Sequence, residues 1–268
     1  MPAGFLTKQT TMIRKLLLGG LAAALSLTVS AHNESASSTG FQPDTQRIKS
    51  HLFFLADDLL EGRDTGSRGH DIAALYIATE FAKYGLTPAG TNGFMQDVKF
   101  RKSVLVQESP EFTITTDEGT TSLSYPKQYL MGPSLLSETS AVEAEMVFVG
   151  YGIVADELEH NDYDGMDVDG KIVVTLAGKP ASFPSEEGAH FASGYQKNKY
   201  AAERGAVGVI TVTTPKNEKV RPYQSRLSYI HTPSMAWLQE DGTPANRFEQ
   251  LKGGAYLSEG AAKILFKD

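Results

Sequence analysis

Lys199-Tyr-Ala-Ala-Glu-Arg-Gly-Ala-Val-Gly-Val-Ile-Thr-Val212 is the stretch that decides the fold. Lys199 to Arg204 reads as a short helix. Gly205 stops it, because glycine takes the left-handed backbone of a helix end without a Cβ penalty. The Val and Ile run from Ala206 to Val212 suits a strand buried on both faces. Upstream, Ile172-Val-Val-Thr-Leu176 is a second strand, and Met146-Val-Phe-Val149 a third that leads into Gly150-Tyr-Gly-Ile153. Strand, loop, strand, helix, strand is an α/β order of ordinary domain size.

Moving toward the N-terminus, Glu111-Phe-Thr-Ile-Thr-Thr116 and Thr120-Thr-Ser-Leu-Ser-Tyr125 alternate and flank Asp117-Glu118-Gly119. This predicts a hairpin with Gly119 in the left-handed region. Asp44 or Thr45 can cap a helix running to about Leu60 with Ile48, Leu52, Leu55 and Leu59 on one face. After the turn from Glu61 to Gly69, a second helix is expected from about His70 to Gly85. Ile72, Leu75, Tyr76, Ile77 and Phe81 cover most of its circumference, which is the pattern of a helix buried on more than one side. Two helices and a few edge strands cannot bury it, so the expected partner is a larger sheet that this segment, with no run of βα units after it, does not supply.

Two stretches resemble a known family. The first is Leu55 to Gly90, with Leu60-Glu-Gly-Arg63, Thr65-Gly66, Gly69, Tyr76-Ile77, Phe81 and Gly85-Leu-Thr-Pro-Ala-Gly90, continuing through Asn92-Gly93-Phe94-Met95-Gln96. It resembles the opening of secreted co-catalytic zinc aminopeptidases, relatives of glutamate carboxypeptidase and the transferrin receptor ectodomain. Thr87 between Leu86 and Pro88 departs from the pattern. The second comprises Gly150-Tyr-Gly-Ile153, Asp162-Tyr163, Asp167-Val168, Gly170-Lys-Ile-Val173, Ala201-Ala202 and Gly205-Ala-Val-Gly-Val-Ile210. It resembles the protease-associated (PA) domain that this family carries as an insertion. Together the two cover roughly residues 44–266 in the family's order.

The resemblance implies an α/β chain in five parts. Residues 1–31 are a signal peptide, with Met12 as an alternative start, and 32–43 a linker. Residues 44–129 are the N-terminal portion of a peptidase domain, 130–250 the PA domain, and 251–268 the start of a return into the peptidase domain. In the last part Ser258 caps an amphipathic helix with nothing after it to pack against. The family releases N-terminal residues from peptides with two zinc ions, a metal-bound water and a glutamate base. The resemblance places all those ligands beyond Asp268, so no catalytic, cofactor-binding or metal-binding residue is assigned within this chain. The alternative is a secreted, non-catalytic module that binds a peptide or protein.

Composition sets the remaining bounds. Arg14-Lys15, the apolar run Leu16 to Leu27 and Val29-Ser30-Ala31 have the three parts of a cleavable export signal, pointing to the periplasm or the exterior without a membrane anchor. The absence of cysteine excludes disulfides, thiolate metal sites and a cysteine nucleophile. A net charge of −7 argues against nucleic acid as a partner.

Other motifs have a structural as well as a functional reading. Gly150-Tyr-Gly-Ile-Val-Ala155 mimics a dinucleotide fingerprint, but Asp156-Glu-Leu-Glu159 follows where a helix N-terminus would have to receive phosphate. His160-Asn-Asp162 has the H-x-D spacing of one zinc-site strand, yet reads better as a solvated loop. Asp162, Asp164, Asp167 and Asp169 miss the EF-hand spacing because Met166 holds a ligand position. Glu61-Gly62-Arg63 either orients Arg63 toward an active-site face or fixes the interhelical loop by capping or ion pairing. His32, His51, His70, His190 and His231 lack ligand spacing, and Trp237 reads as core.

Overall fold

The computed structural model describes residues 42–266. The signal peptide, most of the linker and Asp268 lie outside them. Chain contacts divide the protein into two compact units, with the boundary after Glu80.

The first unit is helical. Helix α1 is Thr45–Leu55, and α2 is Arg68–Lys83, whose last residues pass into the second unit. Asp44 caps α1 by accepting from the N–H groups of Gln46 and Arg47. The helix ends at Leu55, not Leu60, because Asp57 starts a 3-10 turn over Asp58–Arg63 and accepts from Leu59 N. Between the helices, Phe54 stacks on Tyr76 at 4.2 Å, and His51 Nδ1 lies 2.7 Å from Tyr76 Oη. Gly69 meets the Leu60 carbonyl so closely that a Cβ has no room. Only Gly69 and Ala73 of α2 are buried, while Leu75 is 60% exposed, so among the described residues no sheet covers the apolar surface of this helix.

The second unit holds the sheet. Its strands are β1 Phe100–Ser103, β2 Thr113–Thr116, β3 Gly119–Ser122, β4 Tyr129–Leu130, β5 Met146–Phe148, β6 Val154–Ala155, β7 His160–Asn161, β8 Ile172–Leu176, β9 Gly208–Val212, β10 Ser234–Trp237 and β11 Gly253–Leu257. Its helices are α3 Ser185–Phe191, α4 Gly194–Ala202, α5 Pro215–Val220, α6 Tyr223–Arg226 and α7 Glu259–Leu265. The main sheet has the order β4-β11-β9-β8-β5. Its pairings β5–β8, β8–β9 and β9–β11 are parallel, and β4 joins β11 antiparallel.

The apolar runs explain the layering. Ile172 and Val174 of β8 point to one core with Ile210, Val212 and Leu257, while Val173 and Val209 point to another with Ala201 of α4. A sheet with both faces apolar needs cover on both. Helix α4 covers one. Ala261 and Ala262 of α7, together with Ile114 and Leu123 of the hairpin region, cover the other.

The core of this unit draws on residues from three of the parts read from the sequence. The segment read as a return toward another domain contains β11, an interior strand. The stripe of α7, expected to have no partner, packs into the core, with Ser258 accepting from Ala261 N as anticipated. The hairpin, expected to belong to the peptidase portion, packs there too. Its turn has Gly119 at φ 131°, outside the left-handed helical region expected for it. Among the described residues no helix is long and apolar enough to cross a membrane.

Candidate functional site

The carboxyl ends of parallel strands are where α/β sheets gather polar groups. Here β5 runs out into Gly150-Tyr-Gly152, with Gly150 at φ 59° and Gly152 at φ 67°. Both positions need glycine for space as well as for conformation. A Cβ on Gly150 would sit 2.8 Å from Asp162 Oδ1, and one on Gly152 2.6 Å from Thr175 Cγ2. Asp162 holds the turn from beneath: its Oδ2 accepts from Ile153 N at 3.0 Å. The dinucleotide reading fails on two counts. The turn leads into β6 and the 3-10 turn Asp156–Leu158, not a helix, and the Asp162 carboxylate lies against it.

His160 lies on β7, paired with β6. Its Nε2 is 3.0 Å from Asp162 Oδ1, and its ring packs edge-on against Phe183 at 5.1 Å. That nitrogen is buried and misaligned for a directed hydrogen bond, so the contact is electrostatic proximity. The solvated-loop expectation is therefore corrected: the Asp162 side chain is only 13% exposed, and the pair is part of the turn's foundation.

Lys197 of α4 completes this cluster. It is 5% exposed, and its Nζ donates to the carbonyls of Leu176 at 2.7 Å and Gly178 at 2.9 Å. Burial lowers its pKa to about 8, against the opposing pull of the Asp162 charge. Two carbonyls occupy the ammonium, so its role is to tie α4 to the end of β8. Tyr163 is buried under the Arg204 guanidinium, 4.9 Å from its ring, and burial pushes its phenol pKa upward. Its hydroxyl is buried without a partner.

The other candidates separate in space or in role. Asp167 pairs with Lys171 at 3.5 Å and accepts from Asp169 N, while Asp162 serves the Gly150 turn, so the four aspartates do not form a calcium cage. Among the described residues no three His, Asp or Glu side chains converge as metal ligands. The donor set there does not fit a dinuclear zinc site, and no metal-dependent step is derived from it.

Glu61, Gly62 and Arg63 all have positive φ, at 50°, 74° and 59°. Neither Glu61 nor Arg63 makes an ion pair among the described residues, so the expected fixation by charge pairing is absent. The loop is held by Asp57 and the Leu60–Gly69 contact. His51 was missed as a partner of Tyr76, and Trp237, read as core, is half exposed on β10.

No protein-family model matches the chain, and no curated protein matches it. Solved structures are similar to the chain, two aminopeptidases among them. One is an aminopeptidase from Aneurinibacillus sp. strain AM-1, 18% identical, covering 83% of this chain and 40% of that one at a TM-score of 0.39. The other is BSAP, a zinc aminopeptidase from Bacillus subtilis, 19% identical, covering 63% of this chain and 33% of that one at a TM-score of 0.26. The chain thus spans less than half the length of either, and likeness at this level is not evidence of shared activity.

Proposed function

We propose that this chain supplies the front helices and a PA-type module of an exported, zinc-dependent aminopeptidase acting on peptides. The observation that carries the reading is where the second set of family-like residues falls. Gly150-Tyr-Gly-Ile153 forms the turn after β5, Asp162 clamps it, and Gly170-Lys-Ile-Val173 leads into β8. Ala201-Ala202 and Gly205-Ala-Val-Gly-Val-Ile210 end α4 and begin β9. The residues that carry the resemblance are those that close one module, in the order in which they close it. In the first unit, Leu60 of the 3-10 turn and Gly69 of α2, both from the other stretch, lie so close that Gly69 has no room for a Cβ.

On this reading the metal ligands and the catalytic base are encoded outside the chain, and the module shapes access to the peptide site. Arg14 to Ala31 directs export to the periplasm or the exterior. The test has two parts. The coding sequence past the Asp268 codon is expected to encode a His-x-Asp, a further Asp, a Glu-Glu pair and a later His. The product of that longer frame is expected to hydrolyse aminoacyl-nitroanilides with zinc, whereas the chain alone does not. Zinc-dependent turnover by the chain alone, or a longer product without peptidase activity, would overturn the proposal. The second reading, a non-catalytic peptide- or protein-binding module, would gain from the latter result.

A further inference from the structure

A cavity of about 420 Å³ opens in the second unit beside β4 and β11. Its polar lining is Arg221, Arg226, Thr232, Ser234 and Tyr256, and its apolar wall includes Met131 and Ile230. The Arg226 guanidinium carbon sits 4.1 Å from the centre of the Tyr256 ring. Tyr256 stacks on Tyr223 at 6.3 Å and 19°, and buried Tyr223 is fixed by donating from its hydroxyl to Pro126 O at 2.8 Å. The arginine and the two tyrosine rings thus form one cluster, anchored at Tyr223.

Its hydrogen-bonding capacity is not used. Among the described residues Arg226 Nε is buried without an acceptor, and the Tyr256 hydroxyl is buried without a partner. Among the described residues neither Arg221 nor Arg226 has a carboxylate within ion-pair distance, in a chain whose net charge is −7. The nearby Glu218 is already engaged by Tyr223 N at 2.9 Å and Thr213 Oγ1 at 3.5 Å. A guanidinium held over an aromatic ring, with no acceptor on its N–H groups among the described residues, is suited to a two-oxygen acceptor.

We propose that this cavity binds a carboxylate carried on an apolar or aromatic body. Arg226 receives the two oxygens, Arg221 adds positive charge at the rim, and Thr232 and Ser234 offer hydroxyl donors. The Met131 and Ile230 wall takes the apolar portion. That wall favours a monoanionic carboxylate over phosphate, which would leave charged oxygens against carbon. The inference rests on the cavity alone and holds whether or not the aminopeptidase reading does.

The test uses the isotope-labelled full chain titrated with N-acetylphenylalanine, N-acetylphenylalaninamide and inorganic phosphate, read by amide chemical shifts. N-acetylphenylalanine is expected to move Gly132, Ser234 and Gly254 saturably, and the uncharged amide to leave them in place. Arg226→Gln should weaken binding by about tenfold or more, since the charge-assisted pair is lost. Arg221→Gln should weaken it less, and because Arg221 is exposed this variant keeps the test alive if Arg226→Gln does not fold. Equal shifts with acid and amide would overturn the proposal, as would phosphate binding as tightly as the acid, or no saturable shift at these residues.

Discussion

The two units put their apolar residues to different use. In the first, α1 and α2 form on schedule, with a cap at Asp44 and a stacked Phe54–Tyr76 pair, yet Leu52, Phe53, Leu59, Leu75 and Ile77 remain exposed. In the second, Ile172, Val173, Val174, Ile210 and Leu257 are all buried. The difference teaches that helix signals are local and burial is not. A capped amphipathic segment can make its turns within itself. A sheet reaches its stability only when β5, β8, β9 and β11 lie side by side and both faces are covered.

The largest expected effect tests that contrast directly. Limited proteolysis of the chain should remove the first unit early and leave a resistant fragment beginning between Tyr84 and Phe100 and retaining Leu257. Amide exchange should be slowest in β8 and β9. Equal protection of α1 and β8 in a monomer would break the comparison, and the first unit would then count as a complete fold.

Next in size is the Gly152 turn. Gly152→Ala forces a Cβ onto a positive-φ residue and against Thr175, so it should cost about 2–4 kcal/mol in urea unfolding. Gly62→Ala, in open space at a similar φ in the first unit, should leave the main unfolding transition of the second unit unchanged.

Lys197 supplies a pH signature. Its pKa is lowered on folding, to about 8, so the unfolded chain binds more protons from about pH 8 up to the ordinary lysine value. Stability attributable to this residue should therefore rise with pH across that window, by about 1–2 kcal/mol between pH 8 and 9.5. Lys197→Met should flatten that part of the profile. The tyrosines Tyr163 and Tyr223, with pKa values raised by burial, act oppositely above the ordinary phenol range, so the measurement belongs below pH 10. A wild-type slope that persists in Lys197→Met would reassign the effect.

The smallest effect compares two caps. Ser258→Ala removes the acceptor for Ala261 N and should lower the stability of the second unit by about 1 kcal/mol. Asp44→Ala removes two bonds of the same kind from α1 and should change only local exchange there.

Much of the second unit was legible where the signal is contiguous. Ile172–Leu176 is a strand from its β-branched run, and Ser258 a cap from its place before an apolar stripe. β11 was missed because Gly-Gly-Ala-Tyr-Leu has weak strand character of its own. Its register against β9 supplies what its composition lacks. Helix α4 begins five residues before the expected Lys199, since Ser193 caps a polar turn whose Lys197 faces inward. A buried lysine cannot be told from a surface one until the carbonyls of Leu176 and Gly178 are in place. The Asp162 clamp and the Arg226–Tyr256–Tyr223 cluster are equally non-local, and no spacing in the sequence announces them.

The position of β11 has a consequence for the newborn chain. β5, β8 and β9 are made in the order in which they stand side by side, so each new strand finds a finished edge. β4 is made before all of them, yet its neighbour in the sheet, β11, is made after all three. Tyr129 and Leu130 must therefore wait through the synthesis of the whole module, and only the arrival of Tyr256 and Leu257 closes the gap. A ribosome that pauses before residue 253 would hold a nascent chain in which β9 keeps an open edge and β4 has no strand to pair with.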